Sequence, residues 1–285
     1  MRSVCNERVS ATVVNWTDAG WPRRILEVKV LCIGAHPDDC EIGFGGTAAK
    51  FAAAGHDVKF VSMTDGSAGH FLHSRDETAA TRRAEADEAA RRLGIASTEV
   101  LSHRDGELTA NLDARYEVLR RIREWQADIV LTHRPWDYHP DHRYTSQIVG
   151  DSAYLVMVPQ VCPETPALSS NPVFLYMEDA FRLPAPFVPE IAVEIDWAAK
   201  IDALDAHASQ FYEWLPWVDG KLGSVPKNSR RDWLARTWKR SSSPCTAAAI
   251  ARRYGSRTVQ HAEAFQLCEY GRQPSAEELD AIFPR

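Results

Sequence analysis

Val28-Lys29-Val30-Leu31-Cys32-Ile33-Gly34-Ala35-His36-Pro37-Asp38-Asp39 is the stretch from which the rest of the chain can be read. Its first seven residues are almost continuously apolar, as expected of a strand buried on both faces. A polar loop carrying His36, Asp38 and Asp39 follows, and a helix is expected over residues 46–54. The alternation then repeats. Residues 58–63 read as a second strand, and 77–93 as an amphipathic helix stopped by Gly94. Val100-Leu101 ends a third strand, 113–125 is helical, 129–132 is a fourth strand, and 141–153 returns as a helix.

Strands alternating with helices of this length predict βαβ units and an α/β fold: a Rossmann-like three-layer sandwich with a mostly parallel sheet. Right-handed crossovers bring the carboxyl ends of all parallel strands to one edge, where ligands bind. The second half is less regular. Seven prolines between Pro159 and Pro189 break it into loops, with strands expected at 174–177 and 191–195 and a helix at 197–211. Residues 212–245 hold Trp214, Trp217, Trp233 and Trp238, which read as a partly packed irregular segment, a lid or a subunit contact. The expected organisation is an extension over 1–24, a catalytic region over 25–211, and an irregular C-terminal extension over 212–285 within the same domain.

Two clusters carry the chemistry. His36-Pro37-Asp38-Asp39 follows strand one, and His139-Pro140-Asp141-His142 opens the helix after strand four. Each lies just past a carboxyl end, so two loops distant in sequence reach one crevice. Imidazole and carboxylate together suit a divalent metal such as zinc. Three protein ligands would leave a position for water, whose pKa zinc lowers to about 7. Adjacent Asp38 and Asp39 can divide two roles, one ligating while the other takes the water's proton. A lone His-Pro-Asp is most simply a helix entry, and Asp141 reads as an N-cap. Two such motifs at equivalent strand ends make a metal centre the better reading.

The run Ala35-His36-Pro37-Asp38-Asp39-Cys40-Glu41-Ile42-Gly43-Phe44-Gly45-Gly46-Thr47 resembles the signature of the LmbE/PIG-L family of zinc-dependent de-N-acetylases. Arg82-x-x-Glu85, Leu93-Gly94, Asp105-Gly106, His139-Pro140-Asp141-His142 and Lys200…His207-Ala208-Ser209-Gln210 follow in the family's order, covering roughly residues 28–211. The resemblance implies metal ligands at His36, Asp39 and His142, and Asp38 as general base. It also implies that His139 stabilises the charge on a tetrahedral intermediate, and that Arg82 and Asp105 contact a sugar-like substrate. The metal would be Zn2+, with Fe2+ the main alternative. Where some members place a tyrosine two residues before the first histidine of the second motif, this chain has Asp137, with Tyr138 shifted by one. Gly43, Gly45 and Gly46 read as loop residues that let the chain turn into the helix.

Bulk properties narrow the field. The chain has 285 residues, 45% hydrophobic and 25% charged, with a net charge of −6. That balance fits a globular protein and argues against a nucleic-acid partner. No CxxC pair occurs among the six cysteines, so reduced thiols in a cytoplasmic protein are expected. Neither a signal peptide nor a membrane span is evident. The expected partner is a small-molecule substrate, with a homo-oligomer also compatible. The leading function is hydrolysis of an acyl group, above all acetyl, from an amide nitrogen of a sugar-like molecule. A hydratase of an unsaturated acid could use the same activated water. A non-catalytic nucleotide-binding module fits less well, because its glycines would come about nine residues too late for a fingerprint loop. A serine hydrolase fits worst, because Asp65 precedes Ser67 where a GxSxG elbow needs glycine.

Overall fold

A computed structural model describes residues 27–238 and 244–285; the expected 1–24 extension and Cys5 lie outside the described residues. Seven strands form one sheet in the order β3-β2-β1-β4-β5-β7-β6. They are β1 (Lys29–Gly34), β2 (Asp57–Thr64), β3 (Ser97–His103), β4 (Ile129–Thr132), β5 (Val173–Met177), β6 (Ile191–Glu194) and β7 (Ala262–Gly271). The five strands from β3 to β5 pair in parallel, and β7 pairs antiparallel with both β5 and β6. The expected mostly parallel α/β sandwich is therefore the observed fold.

Side-chain alternation in β1 divides the core in two. Val30 and Cys32 face one layer, with Phe44 and Phe51 of α1 (Asp39–Ala53), Leu93 of α2 (Arg75–Leu93) and Ala203 of α5 (Trp197–Ala206). Leu31 and Ile33 face the other, with Val118 and Ile122 of α3 (Leu112–Trp125) and Ile148 and Val149 of α4 (Pro140–Leu155). Period-two alternation thus lets one apolar strand feed two helical layers. β1 has β2 on one side and β4 on the other, so the chain reverses direction across the sheet there. A crevice opens at the carboxyl ends of such a pair, and both His-Pro-Asp loops sit in it.

Three expectations are corrected. Helix α1 begins at Asp39 rather than near residue 46, and its glycines lie inside the helix. Close packing explains them: a Cβ on Gly43 would lie 2.2 Å from Met177 Sδ, and one on Gly46 would lie 2.7 Å from Ile195. Helix α5 stops at Ala206, because His207 leaves helical geometry, and a π-helical turn (Gln210–Trp214) follows. Residues 262–271, read as part of an irregular extension, form β7 in the interior of the sheet.

Strand β7 also reaches into α1. The Glu263 carboxylate accepts the N–H groups of Gly46 (3.0 Å) and Thr47 (2.7 Å). It pairs with Lys200, whose ammonium donates to the Ile42 carbonyl at 2.8 Å. Ile42 is the regular helical acceptor for Gly46, so a buried ion pair serves both ends of one helical step.

The tryptophan-rich segment packs on α5. Trp233 and Trp238 border a cluster of Ile201, Leu204, Phe211, Tyr212 and Leu234. Ile201 and Leu204 come from α5, Phe211 and Tyr212 from the π-helical turn and Leu234 from α7 (Arg230–Thr237); α6 (Leu215–Val218), α8 (Pro244–Tyr254) and α9 (Ala276–Ile282) are the other α-helices among the described residues. No described helix is long and apolar enough to cross a membrane.

Candidate metal centre

The loop after β1 is held in a costly conformation. Asp38 has φ 137° and ψ −23°, a region that costs a residue with a side chain roughly 1–3 kcal/mol. Arg82 of α2 compensates from below. Only 2% exposed, it bonds the Pro37 carbonyl and approaches Asp38 Oδ2 at 3.2 Å. Neighbouring Asp39 points the other way. Its Oδ2 accepts the Ala35 and His36 N–H groups at 3.0 and 2.7 Å. The two adjacent carboxylates thus face different partners, as their proposed division of labour requires.

The second loop enters from β4. His142 Nε2 lies 3.2 Å from His36 Nδ1 and 3.5 Å from Asp39 Oδ1, and His36 Nδ1 lies 3.4 Å from Asp39 Oδ2. A tetrahedral cation with ligands at about 2.0–2.1 Å separates neighbouring ligand atoms by about 3.3–3.4 Å. Asp39 meets the two imidazoles through different oxygens, Oδ1 toward His142 and Oδ2 toward His36, so the three side chains converge on one space as candidate ligands. The groups that offer one donor atom per residue with all atoms within 4.8 Å of one another are Asp39, His133 and His142; His36, His139 and His142; and His36, Asp105, His139 and Asp141, so the three candidate ligands are spread over two overlapping groups. His133 is the weaker donor, because its Nε2 already accepts the Ala35 N–H at 3.1 Å. It stacks on His142 at 4.1 Å and braces that ring.

Carboxylates stand behind both imidazoles. His36 Nε2 faces Asp105 at 3.2 Å and Asp141 at 3.4 Å, and His142 Nδ1 faces Asp137 at 3.1 Å. Such partners fix the ring and raise its basicity toward a metal. Asp137 thus has a use in the position where some relatives carry tyrosine, while Tyr138 is 73% exposed. We expect Asp137→Asn to weaken metal affinity about 10–100-fold, read by competition with a chromogenic chelator. Unchanged affinity would remove Asp137 from the site.

The electrostatics favour a cation. Burial acts to lower His36, but Asp105, Asp141 and Asp39 together raise it well above its ordinary value. Burial acts to raise Asp39, yet His142, His133 and His36 hold it well below the usual carboxylate range. Carboxylates that hold a proton on His36 would also attract a metal ion. Asp38 behaves differently: burial pushes it up to about 6, with Arg82 acting against the rise.

His139, not Asp141, caps α4, accepting the Asp141 N–H on Nδ1 at 3.2 Å. Burial, His36 and His142 lower its pKa. A neutral ring that accepts at Nδ1 carries its proton at Nε2 and is a donor there. Asp105 takes the Ala68 N–H on Oδ2 (3.1 Å) while Oδ1 faces His36. Sequence reasoning missed Asp137 as a ring partner, and also Glu41, which lies 3.3 Å from the fully buried His207. Their only signal was proximity to the motifs.

The open α/β sheet brings histidines and carboxylates together at its switch point, where they form a candidate metal site. Residues 31–153 match the family model described as PIG-L: GlcNAc-PI de-N-acetylase, so this part of the chain is similar to the PIG-L (LmbE-like) family. Diacetylchitobiose deacetylase of Thermococcus kodakarensis is 41% identical over 121 residues, covering 41% of this chain and 45% of that protein. The 1D-myo-inositol 2-acetamido-2-deoxy-alpha-D-glucopyranoside deacetylase of a Nocardioides species is 28% identical over 173 residues, 47% of this chain and 56% of that protein. The chain thus spans about half the length of these curated relatives. The N,N'-diacetylchitobiose deacetylase structure from Pyrococcus horikoshii superposes with a TM-score of 0.64 at 28% identity, covering 84% and 83% of the two chains.

Proposed function

We propose that this protein is a metal-dependent N-deacetylase of N-acetylated amino sugars or their conjugates, with zinc as resident ion and iron(II) as the alternative. The observation that carries this reading is the approach of His36 Nδ1 and His142 Nε2 to 3.2 Å, with one Asp39 oxygen turned to each ring at 3.4 and 3.5 Å, beside a strained Asp38 that is not needed to ligate. His36, Asp39 and His142 would hold the ion, which when bound supplies a Lewis acid and an acidified water.

The remaining steps belong to the chain. Asp38, with a pKa near 6, takes a proton from the attacking water and returns it to the leaving amine. His139 donates its Nε2 proton toward the developing oxyanion, an effect worth about 3–4 kcal/mol for one well-placed donor. Arg82 and Asp105, which the resemblance marks as substrate contacts, have their polar atoms turned to Asp38, the Pro37 carbonyl and His36. We assign them the orientation of those groups.

The hydratase reading would need a cation free to receive a substrate carboxylate. Arg82 turns Nη2 to the loop and is 2% exposed, and Arg134 is paired with Asp179 (2.9 Å) and the Ala185 carbonyl (2.6 Å). That favours the amide substrate. A cytoplasmic setting belongs to the same proposal, supported by the free, buried thiols of Cys32, Cys40, Cys162 and Cys268. So does a lid or subunit contact at the exposed Trp217 and Val218. Zinc-loaded protein should release acetate from N-acetylglucosamine or N,N'-diacetylchitobiose. Hydration of an unsaturated dicarboxylate with no acetate from either sugar would transfer the assignment to the rival reaction.

A further inference from the structure

A cavity of about 100 Å³ adjoins two of the candidate ligands, Asp39 and His142, and neither Asp38 nor Arg82 lines it. Asp39, His142, His133 and Asp137 form its metal-side wall, and Ile42, Gly43 and Met177 close it opposite. Glu178, Asp179 and Arg134 complete the lining. Arg134 is paired with Asp179 Oδ1 and Glu178 with the Thr246 hydroxyl at 2.7 Å, while Asp179 Oδ2 has no hydrogen-bond partner among the described residues. The apolar surface offered to a ligand is the Ile42–Gly43–Met177 wall.

The chemistry places the two halves of the substrate. The leaving nitrogen must receive a proton, so it lies on the Asp38 side. The acyl tail exchanges no proton and takes the opposite side. Resting on the deacetylase reading, we propose that this cavity is the acyl-binding subsite and that Met177, seated against Gly43, sets the longest acyl group it admits. A water's share of liquid volume is about 30 Å³, so the cavity holds roughly three or four heavy atoms. An acetyl group has three. Met177 is 4% exposed, ends β5 at the crevice edge, and its Sδ fills the notch left by the missing Cβ of Gly43. Its sulfur also lies 3.7 Å from Cys32 Sγ, so it is wedged between the first strand and α1.

The test compares the wild type with Met177→Ala and Gly43→Ala, all metal-loaded. Initial rates are measured on N-acetyl-, N-propionyl- and N-butanoylglucosamine. Affinities for acetate and butanoate are measured by calorimetry. For Met177→Ala, the butanoyl-to-acetyl ratio of kcat/KM should rise at least tenfold, and butanoate should bind at least tenfold tighter relative to acetate. In Gly43→Ala, the new methyl drives the Met177 thioether into the cavity, so KM for the acetyl substrate should rise severalfold. An unchanged length preference in a folded, metal-bound Met177→Ala protein would overturn the proposal. Should the wild type hydrolyse none of the amides, the deacetylase reading fails, and the carboxylate affinities still decide the subsite. Preference for acetate that Met177→Ala abolishes would uphold it. Equal affinity for acetate and butanoate in the wild type would refute it.

Discussion

Asp38→Asn is expected to lower kcat for acetate release by about 10²–10⁴-fold while the protein keeps its metal. Two features make the expectation specific. Asp38 faces Arg82 at 3.2 Å rather than the donors of the ligand triad, so its loss should leave those donors in place. Its pKa, pushed up to about 6 by burial, also suits a group that must take and return a proton near neutrality. Asparagine keeps the size and the capacity to accept from Arg82 but cannot carry the proton. The check is a steady-state assay beside elemental analysis of the purified variant. Turnover within a factor of three of the wild type would deny Asp38 its role. Loss of the metal together with activity would instead make it a ligand.

The largest stability effect is expected at Glu263. Its carboxylate is the acceptor for Lys200 and for two N–H groups inside α1, and both charged side chains are almost wholly buried, at 4% and 3% exposure. Removing one partner of a buried pair costs about 3–5 kcal/mol, because the other charge is left without compensation. Glu263→Ala should therefore lower Tm by roughly 10 °C in a domain of this size. Glu263→Gln keeps an acceptor for the helix and should lose less. Thermal unfolding followed by circular dichroism separates the two. Equal stability of all three proteins would mean that α1 does not depend on β7. Since α1 starts at Asp39, weakened metal affinity should accompany the loss.

The parts legible in the sequence share a physical cause. Residues 28–34 and 129–132 are apolar because parallel strands are covered on both faces, and that pattern alone places the two His-Pro-Asp loops at one edge. The start of α1 was hidden because three glycines mimic a loop. What calls for glycine at two of them, Gly43 and Gly46, is the nearness of Met177 and Ile195, which no local pattern records. Strand β7 was hidden for a related reason. Glu263, Gln266 and Glu269 interrupt its apolar residues, and Glu263 is tolerated inside only because Lys200, far away in sequence, meets it. The candidate ligand types follow from composition and spacing. The partners behind them, Asp137 at His142 and Glu41 at His207, exist only once the chain has folded.

In the proposed function, two loops more than a hundred residues apart grip one cation through His36, Asp39 and His142. A crystal structure of the zinc-loaded protein, with anomalous data collected on both sides of the zinc edge, tests it most directly. One peak within about 2.0–2.2 Å of a donor atom from each of these three side chains is the predicted result. A single peak bound instead among Asp105, His139 and Asp141, or no peak in the crevice at saturating zinc, would contradict it.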